Sequence, residues 1–257
     1  MSTALDGLRV LVTRPAAQAE HLCDLLEQAG AETVALPVLE IVEHDSTESI
    51  ARLRHANAWD MLIFVSRNAV EFALPYLKSE DLPTVAAIGK KTAAALEQAN
   101  IPVEIVPTSF DSEGLLAMSA MQNVAGKRIL LVRGQAGREK LADTLLQRGA
   151  AVDYAEVYRR VKPIENKKRL QTLLLQKKLD TVTVASGDSL LNLIALSGEQ
   201  KSALSNLPFI VMSERISRLA QQQSFAETGN IHVAPEASDE GLVTALRQWH
   251  EQEEANE

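Results

Sequence analysis

"LRVLVTR" at residues 8–14 and "KRILLVR" at residues 127–133 are one pattern that the chain contains twice, and this duplication decides the fold. Four further pairs of segments follow in the same order: "ETVALPVLEIV" (32–42) with "AVDYAEVYRRV" (151–161), "WDMLIFVSRNAVEFAL" (59–74) with "LDTVTVASGDSLLNLI" (179–194), "VAAIGKKTAAAL" (85–96) with "FIVMSERISRLA" (209–220), and "VEIVPTSFDSEGLLAM" (103–118) with "IHVAPEASDEGLVTAL" (231–246). The offset between partners stays at roughly 120 residues, which is typical of a duplicated domain and not of a solenoid repeat.

Each half alternates short apolar runs with helical patterns. Runs such as "MLIFV", "ILLV" and "FIVM" are continuously apolar, which predicts strands that are covered on both faces. Because such strands alternate with helices of about 10–15 residues, the pattern favours βαβ units and a parallel sheet. We therefore predict two doubly wound α/β domains with parallel sheets.

The β-like segments "LPVLEIV" (36–42) and "YAEVYRRV" (154–161) occupy equivalent places in the two halves. If the chain crosses between domains at both, the first βα unit completes the domain built from the C-terminal half, and the crossings pair as a two-stranded β ladder. We expect the domains and connections at these positions: 1–36 with 162–250 as a discontinuous α/β domain, 43–153 as the second α/β domain, 37–42 and 154–161 as inter-domain β linkers, and 251–257 as a disordered acidic tail.

Composition excludes several classes of function. The chain has 257 residues, a net charge of −8 and only 4% aromatic residues, which argues against a nucleic-acid partner. A single cysteine, Cys23, and histidines without metal-ligand spacing predict no metal site, and no cofactor is expected. The N-terminus lacks a signal-peptide pattern, and no apolar run approaches the roughly 18 residues of a membrane span. We predict a cytoplasmic monomer with no membrane partner.

The turns that follow the strands predict the binding residues. In an open parallel sheet, ligands bind beyond the carboxyl ends of the strands. Five of the six strand-to-helix turns contain Arg or Lys, although a helix N-terminus disfavours cations. Their small and hydroxyl residues also suit helix capping, but the cations favour an anion site. The predicted binding residues are Thr13, Arg14, Ser66, Arg67, Asn68, Gly89, Lys90, Thr92, Arg133, Gly134, Ser186, Gly187, Ser213 and Arg215.

The type of anion is less constrained. Neither a Walker loop nor a G-x-G-x-x-G turn follows any strand, so a molecule with many carboxylates fits better than a nucleotide. Two alternatives stay open at this point. One is an α/β transferase that binds a nucleotide or sugar phosphate, and the other is a cytoplasmic two-lobed module that binds a small anion.

The sequence resembles the uroporphyrinogen-III synthase family over nearly its whole length. The segments that carry the resemblance are "VLVTRP", "LPVLEI", "DMLIFVSRNAVEFAL", "VAAIGKKTAAAL", "SEGLLAM", "KRILLVRG", "VYRR", "FIVMSERISRLA" and "SDEGLVTALRQW". The turn Ser186-Gly187-Asp188 departs mildly from the family pattern, which leaves the role of Asp188 open. The resemblance implies two α/β domains joined by a β ladder.

The same resemblance implies a reaction in haem biosynthesis. The substrate would be hydroxymethylbilane, a linear tetrapyrrole with eight carboxylates. A lyase of this family closes it to uroporphyrinogen III with loss of water and inversion of the last pyrrole ring through a spiro intermediate. The tyrosine in "VYRR", Tyr158, corresponds to a family residue that faces the cleft, so we expect it to be catalytic as the donor of a proton to the leaving hydroxyl. The alternative is that Tyr158 only packs within the linker, and Thr92 and Ser66 are weaker candidates as hydrogen-bond donors.

Overall fold

The computed structural model describes residues 4–78, 81–109, 111–137, 139–223 and 230–255. The strands are β1 (Arg9–Val12), β2 (Glu32–Ala35), β3 (Glu40–Glu43), β4 (Met61–Phe64), β5 (Thr84–Ala87), β6 (Arg128–Gly134), β7 (Ala151–Val161), β8 (Thr181–Val184), β9 (Phe209–Val211) and β10 (Ile231–Val233). The helices are α1 (Ala16–Gln28), α2 (Thr47–Arg54), α3 (Arg67–Ala73), α4 (Lys90–Gln98), α5 (Ser112–Ala117), α6 (Ser119–Gln122), α7 (Lys140–Gln147), α8 (Asn166–Leu175), α9 (Gly187–Ser197), α10 (Lys201–Ser205), α11 (Glu214–Gln222) and α12 (Asp239–Glu254).

The chain divides into two compact units. Unit 1 comprises Met1–Glu40 and Val161–Glu257, and unit 2 comprises Ile41–Arg160. The sheet of unit 1 has the order β10-β9-β8-β1-β2, and its strands pair in parallel. The sheet of unit 2 has the order β3-β7-β6-β4-β5, and β7, β6, β4 and β5 also pair in parallel. The predicted class, two α/β domains with parallel sheets, is confirmed.

The internal repeat corresponds to equivalent positions in the two sheets. β1 lies between β2 and β8, as its counterpart β6 lies between β7 and β4. β9 and β5 then follow on the same side, and the counterpart of β10 is an isolated parallel bridge between Ala86 and Ile105. The first βα unit of the chain thus belongs to the sheet formed by the C-terminal strands.

Both faces of each sheet are covered by apolar side chains. Val10, Leu11 and Val12 of β1 are fully buried, and Leu11 belongs to a different apolar cluster from its two neighbours. The four residues of β4 alternate between two clusters in the same way. Successive side chains of a strand point to opposite faces, so a strand buried on both faces needs an uninterrupted apolar run.

Strand β3, which overlaps the first predicted linker, is an edge strand of the unit 2 sheet and is hydrogen-bonded to β7, which contains the second predicted linker. One detail differs from the sequence-based expectation. The predicted disorder after residue 250 is wrong for 251–254, because α12 continues to Glu254. Leu246 and Trp249 pack this helix onto the core, and an i,i+4 pair between His250 and Glu254 (3.6 Å) supports its last turn. Residues 256–257 lie outside the described residues.

Candidate functional site

The phenol of Tyr158 lies at the carboxyl end of the unit 2 sheet, beside the first turn of α3. Ser66 precedes α3 in an extended conformation, and its Oγ accepts a hydrogen bond from the backbone N–H of Ala69 at 3.1 Å. The Tyr158 hydroxyl is 3.2 Å from the same Oγ. Only 5% of Tyr158 is exposed, so its hydroxyl is held in place by packing and by Ser66.

Gly134 lets the Tyr158 ring lie against the backbone of β6. The two residues are register partners, next to an irregularity in the pairing of β6 with β7. A Cβ atom at position 134 would lie 2.5 Å from both Cε2 and Cζ of Tyr158, which no real contact permits. The Phe72 ring, with its centroid 6.0 Å away, packs against the tyrosine as well. The glycine therefore fixes where the phenol sits.

Arg133 is part of a buried ion-pair network at the end of β6. Its side chain is 8% exposed, and its Nη2 is 2.9 Å from Glu139 Oε1 and 3.3 Å from Glu156 Oε1. Its guanidinium lies 4.1 Å from the centroid of the Tyr154 ring. Burial and the hydrogen bond to Glu139 raise the pKa of Tyr154 to about 12. The charge of Arg133 is thus neutralised inside unit 2.

The other predicted residues of unit 2 lie at the starts of α3 and α4. Arg67 is 68% exposed and pairs with Glu71 at 2.7 Å, a contact between neighbouring turns of one exposed helix face that contributes little stability. Asn68 is half-buried, Lys90 is exposed, and Thr92 is 5% exposed. Gly89 is buried and extended where α4 begins. Helix N-termini with exposed cations can bind carboxylates.

In unit 1, Arg14 follows β1 and forms an ion pair that the sequence did not predict. Arg14 Nη2 is 2.6 Å from Asp239 Oδ1, and the two side chains are only 15% and 13% exposed. The second oxygen of Asp239 is 2.9 Å from Nδ1 of His21, and this contact raises the pKa of His21. Arg14 Nε is buried and has no hydrogen-bond partner among the described residues.

The remaining predicted residues of unit 1 differ in accessibility. Thr13 is fully buried, and its hydroxyl donates to the carbonyl of Thr183 at 2.8 Å, so it is bound within the sheet. Ser186 caps α9 by accepting from the N–H of Ser189 at 3.0 Å, and Gly187 begins that helix. Ser213 precedes α11 in an extended conformation, and Arg215 in the first turn is exposed with no partner among the described residues.

The predicted residues therefore gather at the carboxyl end of the sheet in each unit. Arg14 and Arg133 were predicted to bind a carboxylate of the ligand, but both form ion pairs with carboxylates of the protein itself. Sequence reasoning missed Asp239, Glu139 and Glu156. One signal was available for Asp239, because "SDEG" (238–241) repeats "DSEG" (111–114), and both segments begin a helix with a side-chain cap.

A surface depression of unit 2 lies away from these turns, at the amino ends of β4 and β6. Its volume is about 320 Å³, and it is lined by Glu48, Ala51, Arg52, His55, Ala58, Trp59 and Arg128. No cluster of three or more metal-ligating side chains occurs within the ranges that the structure describes. None of the described helices combines the length and the apolar character that crossing a membrane requires.

Comparison with known proteins finds one family whose members match this chain over most of its length. The family model described as uroporphyrinogen-III synthase HemD matches residues 20–244. The uroporphyrinogen-III synthase of Escherichia coli K12 is 32% identical over 253 residues, which cover 93% of this chain and 100% of that protein. A putative uroporphyrinogen-III synthase of Methanothermobacter thermautotrophicus is 33% identical over 202 residues, which cover 75% of this chain and 79% of that protein.

Solved structures agree on the fold. A mutant uroporphyrinogen III synthase from the extremely thermophilic bacterium Thermus thermophilus superimposes with a TM-score of 0.64 at 17% identity and covers 96% of this chain and 100% of its own. The uroporphyrinogen-III synthetase of Helicobacter pylori 26695 superimposes with a TM-score of 0.62 at 16% identity, with 94% and 99% covered.

Proposed function

The chain belongs to the uroporphyrinogen-III synthase family, and from this membership we propose that it closes hydroxymethylbilane to uroporphyrinogen III with loss of water. The observation that carries the proposal is the match to the Escherichia coli enzyme, which extends over the whole of that protein and 93% of this chain. Both α/β units are therefore included in the similarity. The proposed ring closure is a step of haem biosynthesis.

The substrate carboxylates would bind at the carboxyl end of each sheet. The N-termini of α4, α9 and α11 carry backbone N–H groups that lack intrahelical partners and attract anions. Two of these N-termini carry an exposed cation, Lys90 on α4 and Arg215 on α11. The N-terminus of α3 also carries one, Arg67. Arg14 and Arg133 would instead hold their turns in shape, since Asp239, Glu139 and Glu156 already neutralise them.

The Tyr158 phenol would start the reaction by protonating the hydroxyl that leaves. A phenol carries an O–H group that can donate to the oxygen of the leaving hydroxyl. The carbon–oxygen bond of the hydroxymethyl group breaks, the proton and the hydroxyl leave together as water, and electrons from the pyrrole nitrogen form an azafulvene. Ser66 Oγ, 3.2 Å from the phenol oxygen, would orient the hydroxyl toward the leaving group.

Ring inversion is then a matter of geometry. The substituted α-carbon of the last pyrrole attacks the azafulvene and forms a spiro carbon–carbon bond. The older bond from that carbon breaks with help from the nitrogen of the neighbouring pyrrole, which becomes a second azafulvene. The last ring turns over, its unsubstituted α-carbon attacks this azafulvene, and the proton lost from that carbon returns to the Tyr158 phenolate and gives the product. Without the enzyme, the unsubstituted carbon reacts and gives the symmetrical isomer I. Holding one bent geometry can contribute about 7–11 kcal/mol to such a reaction in favourable cases.

Two measurements on hydroxymethylbilane test the proposal: the cyclisation rate, and the ratio of isomer III to isomer I after oxidation and chromatography. We expect isomer III from the wild type and at least a roughly 100-fold slower rate from Tyr158→Phe, the size of a general-acid contribution. Tyr76→Phe is the matched control, because it removes the phenol of another partly buried tyrosine of unit 2, which donates to Glu43. Only isomer I from the folded wild type would refute the function, and unchanged turnover in Tyr158→Phe would refute the catalytic role.

Separate variants test the carboxylate sites. Arg67→Ala and Arg215→Ala should each raise KM more than they lower kcat, because the contact they remove exists before the chemistry begins. Arg218→Ala, an exposed neighbour on α11, is the control and should leave KM unchanged. Equal KM values for all three variants and the wild type would contradict this part of the proposal. Monomeric state and cytoplasmic location stay predictions.

A further inference from the structure

One segment of unit 1 has a charge opposite to that of the protein. The segment from Lys162 to Lys178 contains six cationic residues and one acidic residue, Glu165. Its net charge is therefore +5, whereas the whole chain has a net charge of −8. The six cations are Lys162, Lys167, Lys168, Arg169, Lys177 and Lys178. All six are exposed, and none has an ion-pair partner among the described residues. We call this surface the α8 face.

The arrangement of these cations does not serve the stability of α8. Lys167, Lys168 and Arg169 occupy the first turn, and no acidic residue accompanies them there. The N-terminal end of a helix carries partial positive charge, so each of the three opposes the helix dipole. Three adjacent like charges also repel one another. Their presence on this turn therefore favours a role in binding another molecule over a role in stabilising the fold.

Two large aliphatic side chains lie among the cations. Ile164, in the turn two residues before α8, is 63% exposed, and Leu175, the last residue of the helix, is 69% exposed. Within the helix, Lys168, Thr172 and Leu175 are spaced i, i+4 and i+7, which aligns them along one side. The opposite side, with Leu170 and Leu174, is buried in the core, so it anchors α8 in the fold. The turn before α8 and the end of the helix thus each carry one exposed aliphatic residue, and the exposed lysines lie near them in the sequence.

We propose that the α8 face binds peripherally to an anionic lipid surface. Clusters of four to eight cations on an amphipathic helix match the negative charge of lipid headgroups, and exposed aliphatics insert between them. Lysine stems can lie along the apolar boundary while their ammonium groups stay in the headgroup layer. The negative charge on the rest of the protein is screened beyond about 10 Å at 0.1 M salt. The positive charge of the α8 face therefore determines whether this surface is attracted to anionic headgroups.

The composition of the α8 face distinguishes lipid from other anionic partners. Protein interfaces are depleted in lysine and enriched in aromatic residues and arginine, whereas five of these six cations are lysines and no aromatic residue lies between 162 and 178. Single-stranded nucleic acid would need aromatic platforms for its bases. The expectation of no membrane partner rested on the lack of a spanning run and does not address peripheral binding.

The test is co-sedimentation of the full chain with vesicles of phosphatidylcholine alone, or with about 40% phosphatidylglycerol added to supply the anionic headgroups. We expect binding only to the anionic vesicles, with at least a tenfold loss of the partition coefficient from about 50 mM to about 500 mM salt. Equal binding to neutral vesicles, or no binding to anionic ones at low salt, would overturn the proposal. Tighter binding to duplex DNA of equal charge concentration would also overturn it.

Variants locate the surface. Replacing Lys167, Lys168, Lys177 and Lys178 together by Gln should lower the partition coefficient at least about tenfold, whereas the same four changed to Arg should retain it. Ile164→Ser with Leu175→Ser should weaken binding while the charge is unchanged. The control changes four exposed cations of other elements to Gln: Arg54, Lys78, Lys127 and Arg247. All variants should keep wild-type turnover, and equal binding by the α8 variant and the control would refute the assignment.

Discussion

Gly134→Ala should disable the reaction without touching a polar group. The new Cβ would lie 2.5 Å from Cε2 and Cζ of the Tyr158 ring and 3.0 Å from Cδ2. Carbon atoms in contact sit about 3.5–4.0 Å apart, so the ring must move by about 1 Å. The phenol oxygen is attached to the displaced edge of the ring and moves together with the ring. It therefore moves away from Ser66 Oγ, which lies 3.2 Å from it in the wild type.

The size of the effect follows from that displacement. A misplacement of about 1 Å can cost a reaction about 100-fold, or about 2.7 kcal/mol of transition-state stabilisation. The crowding should also lower the free energy of unfolding by about 1–3 kcal/mol. We expect kcat to fall by about two orders of magnitude with a smaller change in KM. Slower enzymatic closure leaves more substrate to spontaneous closure, so isomer I should increase.

The assay is cyclisation of hydroxymethylbilane under single-turnover conditions, with the isomers separated after oxidation and folding checked by urea denaturation. Gly137→Ala is the matched control, since its Cβ would lie 3.5 Å from Arg133 Nη1, an ordinary contact. In a Tyr158→Phe background, Gly134→Ala should add little, because the hydroxyl it displaces is already gone. A folded Gly134→Ala protein with wild-type rate and isomer ratio would refute the reasoning.

Two further predictions concern ion pairs. Asp239→Asn should lower the free energy of unfolding by about 2–3 kcal/mol in urea, because it weakens a charge-assisted bond to the largely buried Arg14, whereas exposed Asp24→Asn should change it by less than about 0.5 kcal/mol. The hydrogen bond from Arg9 lowers the pKa of Asp180, so this pair stabilises the fold above the usual carboxyl pKa near 4 and ceases to do so as the pH falls through the lowered value. Asp180→Asn should therefore cost about 1 kcal/mol at pH 7 and less as the pH falls below about 4, and thermal unfolding from pH 2 to pH 8 measures this change. A difference that grows on acidification would contradict the assignment.

The fold could be predicted because the signals for it are local and occur twice. "VLV" (10–12) and "ILLV" (129–132) are continuous apolar runs, and a strand covered on both faces requires such runs. The turn glycines and hydroxyl residues then mark where each helix begins. The end of α12 was missed because its last turn, 251–254, is polar, and its stability comes from the packing of Trp249 one turn earlier.

The site could be predicted only in part, because its electrostatics depend on partners that are distant in sequence. Arg14 was expected to meet a carboxylate, and it does, but the carboxylate belongs to Asp239 in the first turn of α12. Such a partner becomes visible only when β1 and the turn before α12 are brought to the same end of one sheet. The position of Tyr158 was likewise hidden, since it depends on which residue of β6 lies opposite it.

The structure changes which cations we propose for substrate binding, because the buried and the exposed arginines differ in their charge partners. An arginine with its charge already neutralised gains little from a second carboxylate, whereas an exposed Arg215 without an ion-pair partner among the described residues gains the full charge-assisted hydrogen bond. Arg14 and Arg133 occupy equivalent strand ends in the duplicated halves, and both are paired internally. Both halves thus hold a paired arginine at this position, with acidic partners from elements that are not equivalent in the repeat, and we propose the exposed cations on the first turns of α3, α4 and α11 as the ones that bind the substrate carboxylates.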